Sequence, residues 1–155
     1  MAKLTVRVPV RWSDLDPYGH VNNVAMLTLL EEARVAAFWN GRGNGVDAEP
    51  TDPHTAVIGA GTSGETLTFV ASHRIEYLAQ LGHLAEPARI QLWISAIGGA
   101  SFDIDYEVFD GETVCARART TLVLIDPETK RPRKFTAEEK TALTGALAPP
   151  LTFRR

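Results

Sequence analysis

The sequence predicts an α+β protein in which an antiparallel sheet curls around one long central helix. Residues 24–39 are apolar at nearly every position, which is typical of a helix buried on most sides. Residues 68–125 contain four runs rich in alternating, β-branched or aromatic residues, separated by turn formers, and these predict an antiparallel meander. The order of one strand, one long helix and four strands favours a sheet curled around the helix.

The first strand is predicted near the N-terminus, where apolar and polar residues alternate with the period of a half-buried strand. The apolar members are Leu4, Val6, Val8 and Val10. Pro9 indicates an edge position or the end of this strand, because proline cannot donate to a sheet. Asn22 or Asn23 can cap the start of the long helix, and Gly41 can end it.

The four later strands are predicted over residues 68–78, 89–96, 101–108 and 113–125. Asp110-Gly111 is a hairpin turn before the last strand, which sets Arg117 and Arg119 on the face opposite its alanines. Within a C-terminal tail over residues 127–155, Thr136 and Glu139 have the spacing of a capping box and predict a short helix.

Length and composition indicate a single domain over residues 1–155, with a flexible excursion over the Gly- and Pro-rich residues 41–66. The formal net charge of −3 gives no reason to expect nucleic acid or an anionic membrane as a partner. No apolar run reaches the length of a membrane span, and the N-terminus lacks a signal peptide's apolar block. A single cysteine, Cys115, cannot form an internal disulfide, which favours the cytoplasm.

Two loop motifs suggest ligands but lack the structural context that those ligands need. Residues 59–64 match the dinucleotide pattern G-x-G-x-x-G, yet the following residues 65–70 prefer a strand where a helix is required, so a flexible glycine loop is favoured. Asp14 and Asp16 resemble the opening of a calcium loop, but Ala25 stands where its bidentate glutamate should be.

Nucleophile and metal motifs are equally incomplete. Residues 61–65 lack the final glycine of a nucleophile elbow, and Cys115 in mid-strand favours inert packing. The histidines show no metal-ligand spacing, so no metal is expected. They are His20, His54, His73 and His83.

The densest group of chemically active residues lies over residues 12–23, directly before the long helix. A carboxylate such as Asp16, held beside the free N–H groups of a helix start, can attack an acyl group while those N–H groups bind the acyl oxygen. The simpler interpretation is an ordinary turn over residues 16–19, in which Asp16 only caps the backbone.

Residues 11–23, together with residues 31–34, resemble the hotdog-fold acyl thioesterases, specifically the 4-hydroxybenzoyl-CoA thioesterase-like group and its acyl-carrier-protein (ACP) thioesterase relatives. Weaker likeness extends through residues 74–78, 97–102 and 116–120. The resemblance implies a hotdog fold, in which an antiparallel sheet of five to six strands wraps around one long helix. It also implies two subunits that join their sheets and share two active sites at the interface. It therefore implies a homodimer, or a tetramer built from such dimers.

The resemblance also implies site roles and no cofactor. Asp16 would attack the thioester or activate water, and the backbone amide of Asn23 would polarise the thioester carbonyl. Independently of the resemblance, the apolar helix face with Met26, Leu27 and Leu30 could line a pocket for an acyl chain or ring. The candidate substrate contacts are Tyr18, Gly19, Val21, Asn22, Met26, Gly99, Ser101, Arg89 and Arg117. The last two could bind coenzyme A phosphates, although solvated arginines on a sheet face are the alternative, and a tight turn explains Gly99 and Ser101 equally well.

His20 is similar to the histidine of the plant ACP thioesterases, which share the string His-Val-Asn-Asn. Those relatives carry asparagine where this chain has Tyr18, so their catalytic set is incomplete here. His20 either orients substrate or water, or packs against the loop.

Neighbouring polar residues favour structural roles. Asn22 is expected to cap the helix, and Asp14 is expected to stabilise the turn. Glu31 and Arg34 have the helical spacing of a structural ion pair. Glu32 is a candidate interface residue.

The function expected from these observations is hydrolysis of an acyl-CoA or acyl-ACP thioester to the free acid and thiol. A hotdog protein that binds acyl thioesters without turnover is one alternative, and tight binding without hydrolysis would identify it. A hydratase or dehydratase on the same fold is another, and hydration of an enoyl-CoA would identify that activity.

Overall fold

The computed structural model describes residues 3–38, 47–48, 67–82 and 86–154. The helices are α1 (Asn23–Phe38) and α2 (Ala137–Thr144), and a short 3-10 turn covers Trp12–Asp14. The strands are β1 (Leu4–Val8), β2 (Asp47–Ala48), β3 (Leu67–Tyr77), β4 (Ala88–Ile97), β5 (Ser101–Asp110) and β6 (Thr113–Ile125).

The strands form one antiparallel sheet in the order β2-β1-β4-β5-β6-β3. This confirms the predicted five to six strands, the sixth being the two-residue β2. The hairpin between β5 and β6 turns at Gly111, whose φ of 57° is the left-handed conformation that glycine adopts readily. In the described sheet, β3 forms an edge and pairs only with β6.

One face of the sheet packs on α1 and forms the core. Eight of the sixteen residues of α1 are buried, which fits the predicted central helix. On β6, Ala116 and Ala118 are buried and contribute to the core, whereas Arg117 and Arg119 alternate with them on the outer face, as predicted.

The C-terminal residues cover the outer face. After α2, Ile94 of β4 pairs with residues 146–148, and the Trp93 indole then donates to the Pro149 carbonyl at 3.0 Å. Residues 149–154, termed here the outer-face strap, continue across the sheet until the Arg154 N–H donates to Glu76 on β3 at 2.7 Å. The strap therefore ties the last residues of the chain to the edge strand.

Several predicted boundaries are confirmed. β1 ends at Val8, directly before Pro9, and Thr136 and Glu139 form the predicted capping box of α2. The helix predicted over residues 24–39 is observed as α1, one residue earlier at its start.

Other predictions fall on undescribed parts of the chain. Gly41, the glycine motif at 59–64 and most of the 41–66 excursion lie outside the described residues, and within that excursion only β2 is described. A strand does begin at Leu67, as expected from the residues that follow the motif. Within the described ranges, no helix is long and apolar enough to cross a membrane.

Candidate active site

The loop before α1 is anchored by Asp14, which is buried against Arg11. The Arg11 N–H donates to Asp14 Oδ2 at 2.8 Å, and its guanidinium donates to Oδ1 at 3.0 Å. Burial alone would raise the pKa of Asp14, but the hydrogen bonds from Arg11 outweigh it and the pKa lies below its usual value. The Asp14 carbonyl also accepts from the Asn22 N–H at 2.7 Å, so Asp14 stabilises the loop as expected.

Asp16 is half-buried at the tightest point of this loop. Its Oδ1 accepts from the backbone N–H groups of Tyr18 at 2.9 Å and His20 at 3.1 Å, while its own N–H donates to the His20 carbonyl at 2.7 Å. Gly19 permits the turn with a φ of 79°. Asp16 thus has the capping role of an ordinary turn through one oxygen, and its Oδ2 makes no hydrogen bond to the described residues.

The start of α1 is capped by Asn22, as predicted. Its Oδ1 accepts from the Val24 N–H at 2.8 Å, and its carbonyl accepts from the Met26 N–H at 2.9 Å. The N–H groups of Asn23 and Ala25 have no acceptor within the described chain. They add to the partial positive charge that a helix carries at its N-terminus.

A cleft of about 410 Å³ lies against the helix start. The loop and α1 contribute one wall, made by Asp16, His20, Val21, Asn22, Asn23 and Met26. The end of β3 and the residues after it form the other wall, made by Tyr77, Leu78, Ala79, Gln80 and Leu81. The cleft therefore combines a carboxylate, a histidine and a helix N-terminus with apolar side chains.

Two hydrogen bonds connect the walls. The Val21 N–H donates to the Leu81 carbonyl at 2.6 Å, and the Tyr77 hydroxyl donates to the Asn23 carbonyl at 2.8 Å. Sequence reasoning placed no site residue on the second wall. The one available signal was the weaker family likeness over residues 74–78, which includes Tyr77 and Leu78.

His20 is half-buried and lines the cleft. Its Nδ1 is shielded from solvent and has no hydrogen-bond partner. The ring therefore packs against the loop while one nitrogen remains unpaired, so both predicted roles of His20 stay open.

Six of the predicted site residues meet in the cleft, and the other six do not line it. Of the latter, Tyr18 is 83% exposed, beside Gly19 in the loop. Arg89 donates to the Gly111 carbonyl at 3.0 Å and lies 4.1 Å over the Phe109 ring. Arg117 forms an ion pair of 3.5 Å with Glu107.

Gly99 and Ser101 belong to the turn between β4 and β5. The Ser101 carbonyl accepts from the Gly98 N–H at 2.7 Å, and the Gly99 carbonyl accepts from the Phe135 N–H at 2.9 Å. These contacts are those of the tight turn that was the alternative interpretation.

The predicted pair on α1 is observed, with 3.5 Å between Arg34 and Glu31. Cys115 is buried, and burial raises the pKa of its thiol, which is typical of an inert core cysteine. The described residues contain no group of three or more His, Cys, Asp or Glu side chains that could hold a metal ion.

Comparison with known proteins assigns the family. Residues 10–143 match the model of the thioesterase-like superfamily. The chain is 30% identical over 139 residues to the uncharacterised protein YsmA of Bacillus subtilis strain 168, covering 88% of this chain and 82% of that protein.

Solved structures share the architecture over nearly the whole chain. A predicted thioesterase from Bacillus stearothermophilus superposes with a TM-score of 0.76 at 20% identity, covering 96% of this chain and 98% of that one. A thioesterase from Thermus thermophilus, complexed with coenzyme A and Zn, gives a TM-score of 0.70 at 23% identity, covering 96% of both chains.

An antiparallel sheet packed on one long helix, together with the match to the thioesterase-like model, defines a hotdog-fold thioester hydrolase. The chain belongs to the thioesterase-like superfamily.

Proposed function

We propose that this chain hydrolyses an acyl-CoA or acyl-ACP thioester to the free acid and thiol, with Asp16 as the central acid. The observation that carries the proposal is that Asp16 lines the same cleft as Asn23, whose backbone N–H has no acceptor in the described chain. The coenzyme A bound to the Thermus thermophilus thioesterase supports coenzyme A as a carrier.

The two carboxylate oxygens of Asp16 have different hydrogen-bond partners. Oδ1 is held by the N–H groups of Tyr18 and His20, which fixes the carboxylate and leaves Oδ2 for chemistry. As a nucleophile, Oδ2 attacks the thioester carbon, the thiolate leaves, and water hydrolyses the resulting anhydride. As a general base, Oδ2 takes a proton from water while the water oxygen attacks, and that proton passes to the leaving thiolate.

The helix start stabilises the tetrahedral intermediate in either route. Negative charge develops on the former carbonyl oxygen, and a donor already aimed at that position needs no reorganisation. The Asn23 N–H is such a donor, reinforced by the dipole of α1. Val21, Met26 and Leu81 supply apolar surface for the acyl group.

The edge strand β3 supports assembly into a homodimer. Its eleven residues leave one side without a partner strand in the described sheet, and exposed edges of this length are templates for strand pairing. Leu67, Phe69 and Tyr77 on this strand are 40%, 64% and 49% exposed. Pairing of two β3 strands would cover them and close the cleft mouth beside Tyr77. Sedimentation of the wild type and of Phe69→Lys tests the pairing of β3 strands by comparing their oligomeric states. A monomeric wild type contradicts the proposed homodimer.

The first experiment measures hydrolysis of acetyl-, butyryl-, octanoyl-, palmitoyl- and benzoyl-CoA. We expect turnover of at least one of them, and a loss of kcat of more than about 10²-fold in Asp16→Asn and Asp16→Ala. Asp103→Asn, which removes a carboxylate from the outer face of β5, is the control and retains wild-type kcat. An Asp16→Asn variant that is as active as wild type contradicts the proposal.

The second experiment removes the proposed donor itself. Proline has no N–H and is favoured at the first position of a helix, so Asn23→Pro deletes that N–H while preserving α1. Losing one oxyanion donor lowers kcat by about 10²–10³-fold. Asn23→Ala controls for the side chain, and Ala137→Pro makes the same change at the first position of α2. If Asn23→Pro retains wild-type kcat, the donor role is wrong.

A single-turnover reaction in ¹⁸O-water can identify the nucleophilic route. Label that enters the Asp16 carboxylate requires an anhydride whose Asp16 carbonyl carbon is attacked by water, because the general-base route delivers all of the label to the product acid.

A further inference from the structure

Tyr77 forms the one side-chain hydrogen bond that joins the two walls of the cleft in the described structure. Its hydroxyl donates to the Asn23 carbonyl at 2.8 Å, across 54 positions of sequence. Tyr77 lies at the end of the edge strand β3, and Asn23 is the first residue of α1. The contact therefore fixes the distance between the helix start and the opposite wall.

The hydrogen bond from Tyr77 is made to the peptide group between Asn23 and Val24, which is held through both of its polar atoms. The Asn23 carbonyl accepts from the Tyr77 hydroxyl at 2.8 Å, and the Val24 N–H donates to Asn22 Oδ1 at 2.8 Å. The preceding peptide is held through the Asn22 carbonyl, which accepts from the Met26 N–H at 2.9 Å. These bonds leave the Asn23 N–H unpaired within the described chain, with its direction set by the groups around it.

We propose that Tyr77 is a positioning residue of the thioesterase reaction, which holds the start of α1 so that the Asn23 N–H points at the reacting carbonyl oxygen. The inference rests on the proposed function, because it assigns the Asn23 N–H as the oxyanion donor. Tyr77 acts through Asn23 and needs no contact with the thioester.

The environment of Tyr77 suits this role. Tyr77 lines the cleft and is 49% exposed, so its hydroxyl is not part of the packed core. Burial raises the pKa of Tyr77, which keeps the hydroxyl protonated and able to donate through neutral pH. Because catalytic donors must be placed to a fraction of an ångström, loss of one restraint is expected to affect rate more than stability.

Tyr77→Phe removes the hydroxyl and keeps the ring. With the best of the five acyl-CoA probes, we expect kcat to fall by roughly tenfold while KM changes less than about twofold, because the N–H acts mainly on the transition state. Thr141→Val is the matched control. It also removes a hydroxyl donor from a helix carbonyl, that of Ala137 in α2 at 2.9 Å, and should retain wild-type kcat.

A double-mutant cycle separates positioning from a general structural effect. In the Asn23→Pro background the N–H is absent, so Tyr77→Phe should lower kcat no further. Equal losses in both backgrounds overturn the inference, as does a Tyr77→Phe variant with wild-type kcat. A wild type that hydrolyses none of the five probes contradicts the proposed function, whereas a Tyr77→Phe variant as active as a functioning wild type contradicts only the role of Tyr77.

Discussion

The carboxylate of Asp105, which has no exposure to solvent, binds the guanidinium of Arg119 through two hydrogen bonds of 2.7 and 2.8 Å. The same carboxylate accepts from the Ser95 hydroxyl at 2.8 Å and from the Leu151 N–H of the outer-face strap at 2.7 Å. Arg119 in turn donates to the Leu151 carbonyl at 3.2 Å and lies 5.1 Å from the Phe153 ring. The buried Asp105 carboxylate and its ion pair with Arg119 thus anchor the strap to the centre of the sheet.

We expect Asp105→Asn to lower the free energy of unfolding by about 3 kcal/mol, because it leaves the Arg119 charge without its counter-ion and cannot satisfy every donor. Urea denaturation measures the change. Asp103→Asn is the control on the same strand and face. Its carboxylate accepts one hydrogen bond, from the Thr121 hydroxyl at 2.7 Å, so the expected loss of unfolding free energy is about 1 kcal/mol. If both variants lose the same free energy of unfolding, the ion pair of Asp105 with Arg119 contributes no more to stability than the single hydrogen bond of Asp103.

Strand and helix positions were largely predictable because they depend on local pattern. The alternation after the Asp110-Gly111 turn predicted β6 with its observed limits, Thr113–Ile125. The long apolar run predicted α1, and residue spacing alone predicted the capping box of α2. In each case hydrophobic period or backbone chemistry within a few residues determines the structure.

The second wall of the cleft was not predictable in the same way. Val21 meets Leu81, and Asn23 meets Tyr77, only because the fold brings the end of β3 and the residues after it to the start of α1. No local pattern encodes a contact across that sequence distance. The outer-face strap also has no period. Arg119 shows the limit clearly, because its alternation with alanines predicted the face it occupies but not the buried carboxylate that binds it.

Alanine substitutions at Gly19 and Gly111 can separate the effect of backbone strain on stability from an effect on catalysis. Both have positive φ, 79° and 57°, and a Cβ added to either would meet no atom within 4 Å. Alanine at each position should therefore lower the free energy of unfolding by about 1 kcal/mol through backbone strain alone. Only Gly19→Ala should also lower kcat, since its turn holds Asp16. Thermal unfolding and acyl-CoA hydrolysis test both parts, and an equal loss of kcat in Gly111→Ala contradicts the assignment.

Glu139 makes stability depend on pH. Hydrogen bonds from Arg133 at 2.8 and 2.9 Å, together with the Thr136 N–H, lower the pKa of Glu139 from 4.5 to about 2. A carboxyl group with a lower pKa in the folded than in the unfolded chain stabilises the fold above its unfolded pKa. That contribution is lost as pH falls from about 4.5 through about 2.

Glu139→Gln should therefore be less stable than wild type at neutral pH by about 1–2 kcal/mol, with the difference shrinking as the medium becomes acidic. Urea denaturation at a series of pH values measures it. Glu138→Gln is the neighbouring control, because the Glu138 side chain makes no hydrogen bond to the described residues, and little change is expected. A deficit in Glu139→Gln that is independent of pH would mean that the charge of Glu139 is not the cause.

The cap of α1 should affect both stability and rate, whereas the cap of α2 should affect stability alone. Asn22→Ala removes the acceptor of the Val24 N–H, 2.8 Å away, and Thr136→Ala removes that of the Glu139 N–H, 3.2 Å away. Each loss should cost about 1 kcal/mol of unfolding free energy. In Asn22→Ala the Asn23–Val24 peptide also loses the acceptor of its N–H group, so we expect a several-fold lower kcat. Stability from urea denaturation and kcat from acyl-CoA hydrolysis give the comparison. If the two variants lose stability equally and both keep wild-type kcat, the start of α1 does not need its side-chain cap for catalysis.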